Sequence, residues 1–495
     1  MNVSAVDNES PGIGLPLRNF GLSLTSKIVS LAAHVAFVML TARLFSKEEV
    51  AVIAVTGIIT ILMDACKGMG LGTLILKRLP QMGESEAAGA RVLTTTYLYY
   101  SLLPPLFLLA AGLVYPYGLP WLGLGSHVHA SVFRLGLAVS FFTVLSNTNV
   151  LVLQAMQRFG QLAVLTLVTS ALQRLLPCVA AVWLGWNLEQ FMSWSAAGAA
   201  VGFAVSCIPL IPSVGIDNFK ILKRAEFWPE SQHFFVTSLL RYGATQIDQL
   251  LVAVLFPPAT LAVYYMLRRL YSLGVVLIGS MIDALVPELA QQAGSDPEGA
   301  RARLAEWSKL SLFAGSTGAA LMAGNGSSVI EMLLGPGYGD DTLLIASFAA
   351  STSLYFLYCF VQVDLMLFQS PERIVWMAAA SAAANLIAGP IASPWLGVHS
   401  IPLAMLAGYL LGLTAARWKG KQGPAPRSVW RIREVGAGLV VVALASLAPI
   451  VAHHLLLHEW ARFAAVNVAI CAVVTAHFWR TGLGSSLRRL GHGAA

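Results

Sequence analysis

The sequence has 495 residues, of which 57% are hydrophobic and only 11% are charged, and its mean hydropathy is +0.71. Soluble domains carry roughly 25% charged residues, so this composition excludes a water-soluble enzyme and indicates a chain that folds in lipid. The net charge of +7 does not indicate nucleic-acid binding, because the basic residues form no continuous patch and stand at the ends of apolar stretches.

Fourteen apolar stretches, most of about 20 residues or more, predict an all-α polytopic membrane protein. A helix of that length crosses the hydrocarbon core and satisfies its own backbone hydrogen bonds. The predicted spans cover approximately residues 22–43, 50–76, 92–115, 128–153, 161–185, 191–212, 233–256, 259–286, 306–325, 342–368, 373–391, 398–416, 434–452 and 460–480.

The charges of the loops predict the orientation. Segments on one side of the predicted spans hold nearly all of the lysines and arginines, whereas the other side holds only Arg43, Lys47 and Arg462. Lysine and arginine are retained on the cytoplasmic side of a membrane. We therefore expect both termini in the cytoplasm of a bacterium, with the chain in the inner membrane.

A weak internal repeat predicts how the spans are grouped. The connection at residues 81–91, after span 2, is similar to the one at 292–301, after span 8. An offset of six spans predicts two pseudo-symmetric lobes of six helices with a cavity between them. The expected divisions are an N-terminal tail (1–21), an N-lobe (22–212), an interfacial linker (213–232), a C-lobe (233–416), a basic linker (417–433), two further helices (434–480) and a C-terminal tail (481–495).

Ionisable residues within the predicted spans are the candidate functional residues. Each costs about 2.5–3.5 kcal/mol at mid-membrane, so we expect these groups to face a hydrated cavity, to pair with one another, or both. Most lie near the predicted midplane, where basic groups outnumber acids, and arginine binds phosphate oxygens with two parallel hydrogen bonds. The main candidates are His34, Asp64, Lys67, Arg174, Arg241, Asp248, Arg268 and Arg269.

Pairing is an alternative to function for several of these residues. Asp64 and Lys67 are three residues apart on one helix face, so they either neutralise each other or act on substrate. Asp248 can pair with Arg268 or Arg269. Because adjacent residues on a helix point about 100° apart, we expect only one of these two arginines to face the cavity squarely.

Two of the remaining candidates have no obvious partner within their own spans. This favours a substrate or gating role for Arg174 and Arg241. His34 is either a hydrogen-bonded interior residue or a proton carrier. The five cysteines stand singly in apolar runs, so we expect no disulfide framework and no metal site.

Several segments resemble the oligosaccharide or polysaccharide flippases of the multidrug/oligosaccharidyl-lipid/polysaccharide (MOP) exporter superfamily. The most specific are Gln246-Ile-Asp-Gln-Leu-Leu-Val252 and Leu261-Ala-Val-Tyr-Tyr-Met-Leu-Arg-Arg-Leu270. The opening hairpin, with Gly68-Met-Gly-Leu-Gly-Thr-Leu-Ile-Leu-Lys-Arg78, and the stretch Leu334-Gly-Pro-Gly-Tyr338 are also similar. The resemblance extends from residue 20 to about residue 416.

The resemblance implies a V-shaped pair of six-helix bundles that carries undecaprenyl-pyrophosphate-linked oligosaccharide from the inner to the outer leaflet by alternating access, for cell-surface polysaccharide synthesis. It implies no cofactor, no catalytic residue, and as partners membrane lipids and the polysaccharide polymerase and export machinery. It assigns the anionic head group to Arg174, Arg241, Arg268 and Arg269 and leaves His34, Asp64, Lys67 and Asp248 as coupling or ion-pair candidates. Peptidoglycan precursor is less favoured, because span 1 offers only Lys27 and His34 where those flippases are arginine-rich.

Two other functions compete. A cation-coupled multidrug antiporter of the same superfamily would favour carboxylates over arginines in its cavity, and the charge balance argues against it. A membrane glycan polymerase or ligase would need a sizeable loop outside the membrane, and the sequence predicts none.

Overall fold

The computed structural model describes residues 30–79, 87–114, 130–156, 158–211, 220–368 and 371–418. The predicted tails, the predicted spans at 434–452 and 460–480, and the basic linker beyond residue 418 lie outside these ranges. Within the described residues, every regular element is a helix.

The described residues of the N-terminal half form eight α-helices. They are α1 Ser30–Leu44, α2 Lys47–Cys66, α3 Leu71–Arg78, α4 Ala87–Val114, α5 Ala130–Ala155, α6 Phe159–Ser170, α7 Leu176–Leu184 and α8 Leu188–Cys207. The C-terminal half contributes α9 Arg224–Thr245, α10 Ile247–Leu255, α11 Pro258–Ser295, α12 Pro297–Leu334, α13 Thr342–Phe368, α14 Pro371–Leu396 and α15 Ser400–Trp418.

Seven helical stretches in the described residues are long and apolar enough to cross a membrane. The chain is therefore an all-α, multi-pass membrane protein, as the sequence predicts. Several helices in the described residues differ from their predicted spans. Helix α12 runs over Pro297–Leu334, well beyond predicted span 306–325, because its polar first turns continue the helix outside the apolar window. Predicted span 233–256 begins earlier, at Arg224, and is interrupted at Gln246.

Local sequence signals fix where helices begin. Ser46 caps α2: its hydroxyl accepts from the Glu49 N–H at 3.3 Å, and the Glu49 carboxylate accepts from the Ser46 N–H at 2.9 Å. Asn187 and Gln190 form the same reciprocal pair at the start of α8. Such capping boxes satisfy N–H groups that a helix start leaves without partners.

The two halves meet along α2. Gly57 of α2 lies against Tyr265 and Arg269 of α11, and Gly70 lies against the backbone of Ser231 and Phe235 in α9. A Cβ on Gly70 would stand 2.3 Å from the Ser231 carbonyl oxygen, so only glycine allows this approach. Helix α2 and the turn Lys67–Gly70 that follows it thus bring the N-terminal half to the boundary between the lobes.

Candidate functional site

Span 2 is broken between α2 and α3. Gly68, Met69 and Gly70 have φ values of 63°, 51° and 84°, so three consecutive residues are left-handed. The two glycines adopt this conformation easily, but Met69 is strained there. The ring of Tyr97 packs against Gly68, where a Cβ would stand only 2.6 Å from it. The break therefore interrupts the helix within a predicted membrane span, and Tyr97 and α9 bury its two glycines.

Span 5 is distorted at the residue that carries its arginine. A π-helical turn, Ala171–Leu175, separates α6 from α7 and contains Arg174. Pro177 follows the turn and has no N–H to donate to the Leu172 carbonyl. That carbonyl lies against Gly198 of α8, where a Cβ would be 2.2 Å from the oxygen. Proline and glycine together accommodate the turn.

A basic cluster joins the two lobes. Arg174 and Arg269 both lie close enough to His34 to act on its charge, and Arg269 also acts on Arg174. His34 comes from α1 and Arg174 from the π-helical turn, whereas Arg269 comes from α11. Within the described part of the chain, no carboxylate pairs with either arginine, and His34 Nε2 has no hydrogen-bond partner. We call these three residues the lobe-interface cluster.

Tyr265 and Gly57 hold Arg269 in place. The Arg269 guanidinium lies over the Tyr265 ring, 4.8 Å from its centroid, which is a cation–π contact. A Cβ on Gly57 would stand 2.8 Å from Arg269 Nη2, so the absence of a side chain at this position makes room for the guanidinium. Arg269 therefore faces α2 across the boundary between the lobes.

Arg268 has the opposite environment. Its Nε donates to Asp248 Oδ2 at 2.8 Å, its Nη2 donates to the Thr245 carbonyl, and its guanidinium lies 4.5 Å from the Tyr271 ring centroid. Tyr264 also donates to Asp248 Oδ2, at 2.8 Å. Arg268 is 3% exposed and Asp248 is 1% exposed. Arg268 and Asp248 thus form a buried ion pair inside the C-lobe.

Arg241 is exposed and has a neutral partner. Its side chain hydrogen-bonds the hydroxyl of Tyr355 on α13 and lies near Tyr358. The Tyr355 and Tyr358 rings are stacked, with centroids 6.5 Å apart. Because a tyrosine hydroxyl orients the guanidinium without neutralising it, Arg241 keeps its positive charge.

Asp64 and Lys67 form an ion pair at the break in span 2. Lys67 Nζ lies 2.6 Å from Asp64 Oδ1, and the Lys67 and Asp64 side chains are 11% and 40% exposed, respectively. Asn147 of α5 donates weakly to the same oxygen, at 3.4 Å. Among the described residues, Asp64 Oδ2 has no hydrogen bond. The pair is therefore only partly enclosed.

The structure adds to these contacts three residues that the sequence did not predict as site residues. Tyr265 carries a visible signal, because it stands four residues before Arg269 on the same helix face. Tyr355 and Asn147 lie in distant spans, so the sequence around Arg241 and Asp64 does not indicate these contacts. Within the described ranges, no His, Cys, Asp or Glu side chains come together in a group that could hold a metal ion.

A sequence model described as "Polysaccharide biosynthesis protein" matches residues 40–340. The chain belongs to this family. The matched region contains all the candidate residues except His34, which precedes it. The family assignment and the fold together bear out the resemblance to MOP-superfamily polysaccharide flippases. No curated protein matches the chain by sequence.

Solved structures with the same fold are MOP-type transporters. "Lipid II flippase MurJ, inward closed conformation" matches with a TM-score of 0.66 and 14% identity, over 94% of this chain and 99% of that one. An outward-facing multidrug resistance MATE family transporter of the MOP superfamily matches with a TM-score of 0.57 and 15% identity, over 88% and 99%. A point mutant of the Vibrio cholerae MATE transporter VcmN matches at 0.57 and 14%, over 81% and 95%. Because the sequence identities are this low, these matches show a shared fold alone.

Proposed function

We propose that this family member flips an undecaprenyl-pyrophosphate-linked oligosaccharide from the inner to the outer leaflet of the bacterial inner membrane. The observation that carries the proposal is the lobe-interface cluster. Two arginines lie within electrostatic range of each other and of one histidine, and among the described residues neither arginine forms an ion pair with a carboxylate. The missing counter-ion is supplied by the pyrophosphate of the substrate.

An anionic substrate accounts for the cluster better than a structural role does. Like charges held together in a membrane repel one another, and each is costly there without a partner. A pyrophosphate relieves both costs, since arginine donates two parallel hydrogen bonds to phosphate oxygens. A cationic drug would instead be repelled by Arg174 and Arg269.

The four arginines that the sequence analysis assigned to substrate take different roles in this proposal. Arg174 and Arg269 bind the pyrophosphate, one from each lobe. Arg241, exposed and fixed by Tyr355, attracts the anionic substrate into the C-lobe side of the pathway. Arg268 receives no substrate contact, because Asp248 and the Thr245 carbonyl already occupy its donors.

The position of the cluster suits alternating access. His34 and Arg174 move with the N-terminal half and Arg269 moves with the C-terminal half, so a bound pyrophosphate draws the two lobes together. Release to the other leaflet separates the cations and weakens their hold. The lipid tail remains in the bilayer while the head group crosses, and a polysaccharide polymerase uses the delivered unit.

Arg269→Gln tests the proposal. Removing a charge-assisted hydrogen bond costs about 1.5–3 kcal/mol, so we expect the exchange rate to fall by roughly 10- to 100-fold. The measurement is leaflet exchange of a fluorescent undecaprenyl-pyrophosphate-linked oligosaccharide in proteoliposomes. The variant should remain as stable to heat as the unaltered protein, because like-charge repulsion is relieved.

Arg134→Gln is the matched control, since Arg134 is an exposed arginine on α5 outside the cluster. It should exchange substrate at the unaltered rate. The proposal fails if the unaltered protein exchanges no lipid-linked oligosaccharide, or if Arg269→Gln does so as fast as the control.

A further inference from the structure

The break in span 2 gathers polar groups that the pyrophosphate site does not use. Asp64 and Lys67 precede the left-handed residues Gly68–Gly70, and Asn147 approaches from α5. Backbone that is not helical is tolerated at membrane depth only where protein buries it or where it lines a hydrated cavity. Protein buries the backbone at Gly68 and Gly70, whereas the side chains of Asp64, at 40% exposure, and of Asn147 are accessible. It is these polar side chains that call for a hydrated surface at this depth.

The charge of this group suits a neutral ligand. Lys67 neutralises Asp64 at 2.6 Å, so the pair has no net charge. A metal ion would be repelled by the Lys67 ammonium, and an anion would be repelled by Asp64. A hydroxyl group can donate to the free Asp64 Oδ2 and accept from the Asn147 amide, because it has both functions. Several adjacent hydroxyls, as on a sugar ring, would satisfy the set.

The group lies on the α2 face that meets Arg269. Gly57, which contacts Arg269, and Asp64 are seven residues apart, which is almost two full helical turns. Asp64 therefore points in nearly the same direction as Gly57, displaced by roughly 10 Å along the helix. A second contact supports this placement: the hydroxyls of Thr60 and Ser140 lie 2.8 Å apart, so α2 and α5 adjoin at the intervening level.

We propose that Asp64, Lys67 and Asn147 form a subsite for the hydroxyl groups of an uncharged sugar of the lipid-linked glycan. This inference rests on the proposed flippase function and adds a second contact, separate from the pyrophosphate. One substrate spans both centres, with its phosphates on the lobe-interface cluster and a sugar about two turns further along α2.

The experiment compares two substrates in the same proteoliposome exchange assay. One is undecaprenyl pyrophosphate alone, and the other carries an uncharged disaccharide. The test variant is Asp64→Asn/Lys67→Met, which removes both charges together and nearly preserves the side-chain volumes. We expect exchange of the disaccharide-bearing lipid to fall at least tenfold, while exchange of undecaprenyl pyrophosphate stays within twofold of the unaltered protein.

Two controls separate the subsite from a structural effect. Asn147→Ala leaves the ion pair intact and should lower exchange of the disaccharide-bearing lipid by about threefold, with no change for the bare pyrophosphate. Arg269→Gln should slow both substrates equally. Equal losses on both substrates in the double variant, or no loss on either, overturn the subsite. Failure of the unaltered protein to exchange either lipid overturns the flippase function itself.

Discussion

Arg268 and Arg269 are neighbours in the sequence, yet their surroundings are opposite. Arg268 is 3% exposed, with Asp248, a backbone carbonyl and a tyrosine ring around it. Arg269 is only partly buried and lies over the Tyr265 ring. Its charged neighbours include Arg174 and no paired carboxylate among the described residues, and His34 is also near. Both arginines sit at nearly the same depth of one helix, so depth alone does not decide the role of an intramembrane charge.

The difference between them is whether the protein supplies the counter-ion. An arginine that already has a buried carboxylate partner needs no anion from outside, and removing that partner leaves a buried charge without a counter-ion. An arginine left without a carboxylate at the boundary between lobes is available for an anion from outside. The contrast predicts that the Arg268 environment governs stability and the Arg269 environment governs transport.

Asp248→Asn tests the stability side of the contrast and should have the largest effect. It leaves the Arg268 guanidinium buried without a carboxylate, which costs about 3–5 kcal/mol. We expect a marked drop in the unfolding temperature of the detergent-purified protein and in its yield.

A second substitution, added to Asp248→Asn, distinguishes the Asp248–Arg268 pair from the neighbouring Arg269. Adding Arg268→Met should restore most of the lost stability, because no unpaired charge then remains in the lobe. Adding Arg269→Met to Asp248→Asn is the matched comparison and should restore none. If both second changes rescue equally, or if the effects of Asp248→Asn and Arg268→Met are strictly additive, Asp248 and Arg268 do not act as a pair.

The sequence predicted much of this contrast. A carboxylate in span 7 and two arginines in span 8 implied one pair and one remaining cation, since adjacent helical residues point about 100° apart. It did not determine which arginine pairs, because the rotation of α11 is set by packing against α2 and α13. The break at Lys67–Gly70 was hidden for a related reason: its apolar neighbours keep the hydropathy of the span high.

Gly198→Ala tests how Arg174 is held at the cluster, with a smaller expected effect. The new methyl group would stand 2.2 Å from the Leu172 carbonyl oxygen, so α8 must move away or the π-helical turn must change. Overpacking of this kind costs about 1–3 kcal/mol. We expect exchange of the lipid-linked oligosaccharide to fall by about tenfold as Arg174 is displaced.

Gly160→Ala provides the control, since a methyl group there meets nothing within 4 Å. It should leave both stability and exchange unchanged. A Gly198→Ala variant with lower stability but a normal exchange rate would show that the π-helical turn supports the fold and does not position Arg174 for substrate.

Lys47 is an intermediate case, because its partners are neutral and belong to the opposite lobe. Its Nζ donates to the Gly337 carbonyl at 3.2 Å and lies 5.4 Å from the Tyr338 ring centroid. Burial and the nearby Glu48 raise the pKa of Tyr338, so the phenol is neutral at physiological pH. This contact joins the first residue of α2 to the loop after α12 at the end of the molecule that is predicted to face outward.

Lys47→Met should therefore have the smallest effect of the variants discussed, which is a shift in the balance between closed and open lobes. A cation–π contact at an exposed site contributes about 0.5–1 kcal/mol, which corresponds to roughly a two- to fivefold larger open population. Distances between spin labels at Leu44 and Asp340 measure that population, and Lys47→Arg, which keeps the cation, should leave it unchanged. An unaltered distance distribution in Lys47→Met would mean that the Lys47 contact does not hold the lobes together at this end. The neighbouring contact, in which Arg43 Nη2 donates to the Met332 carbonyl, would then be the charged group that contributes to closure there.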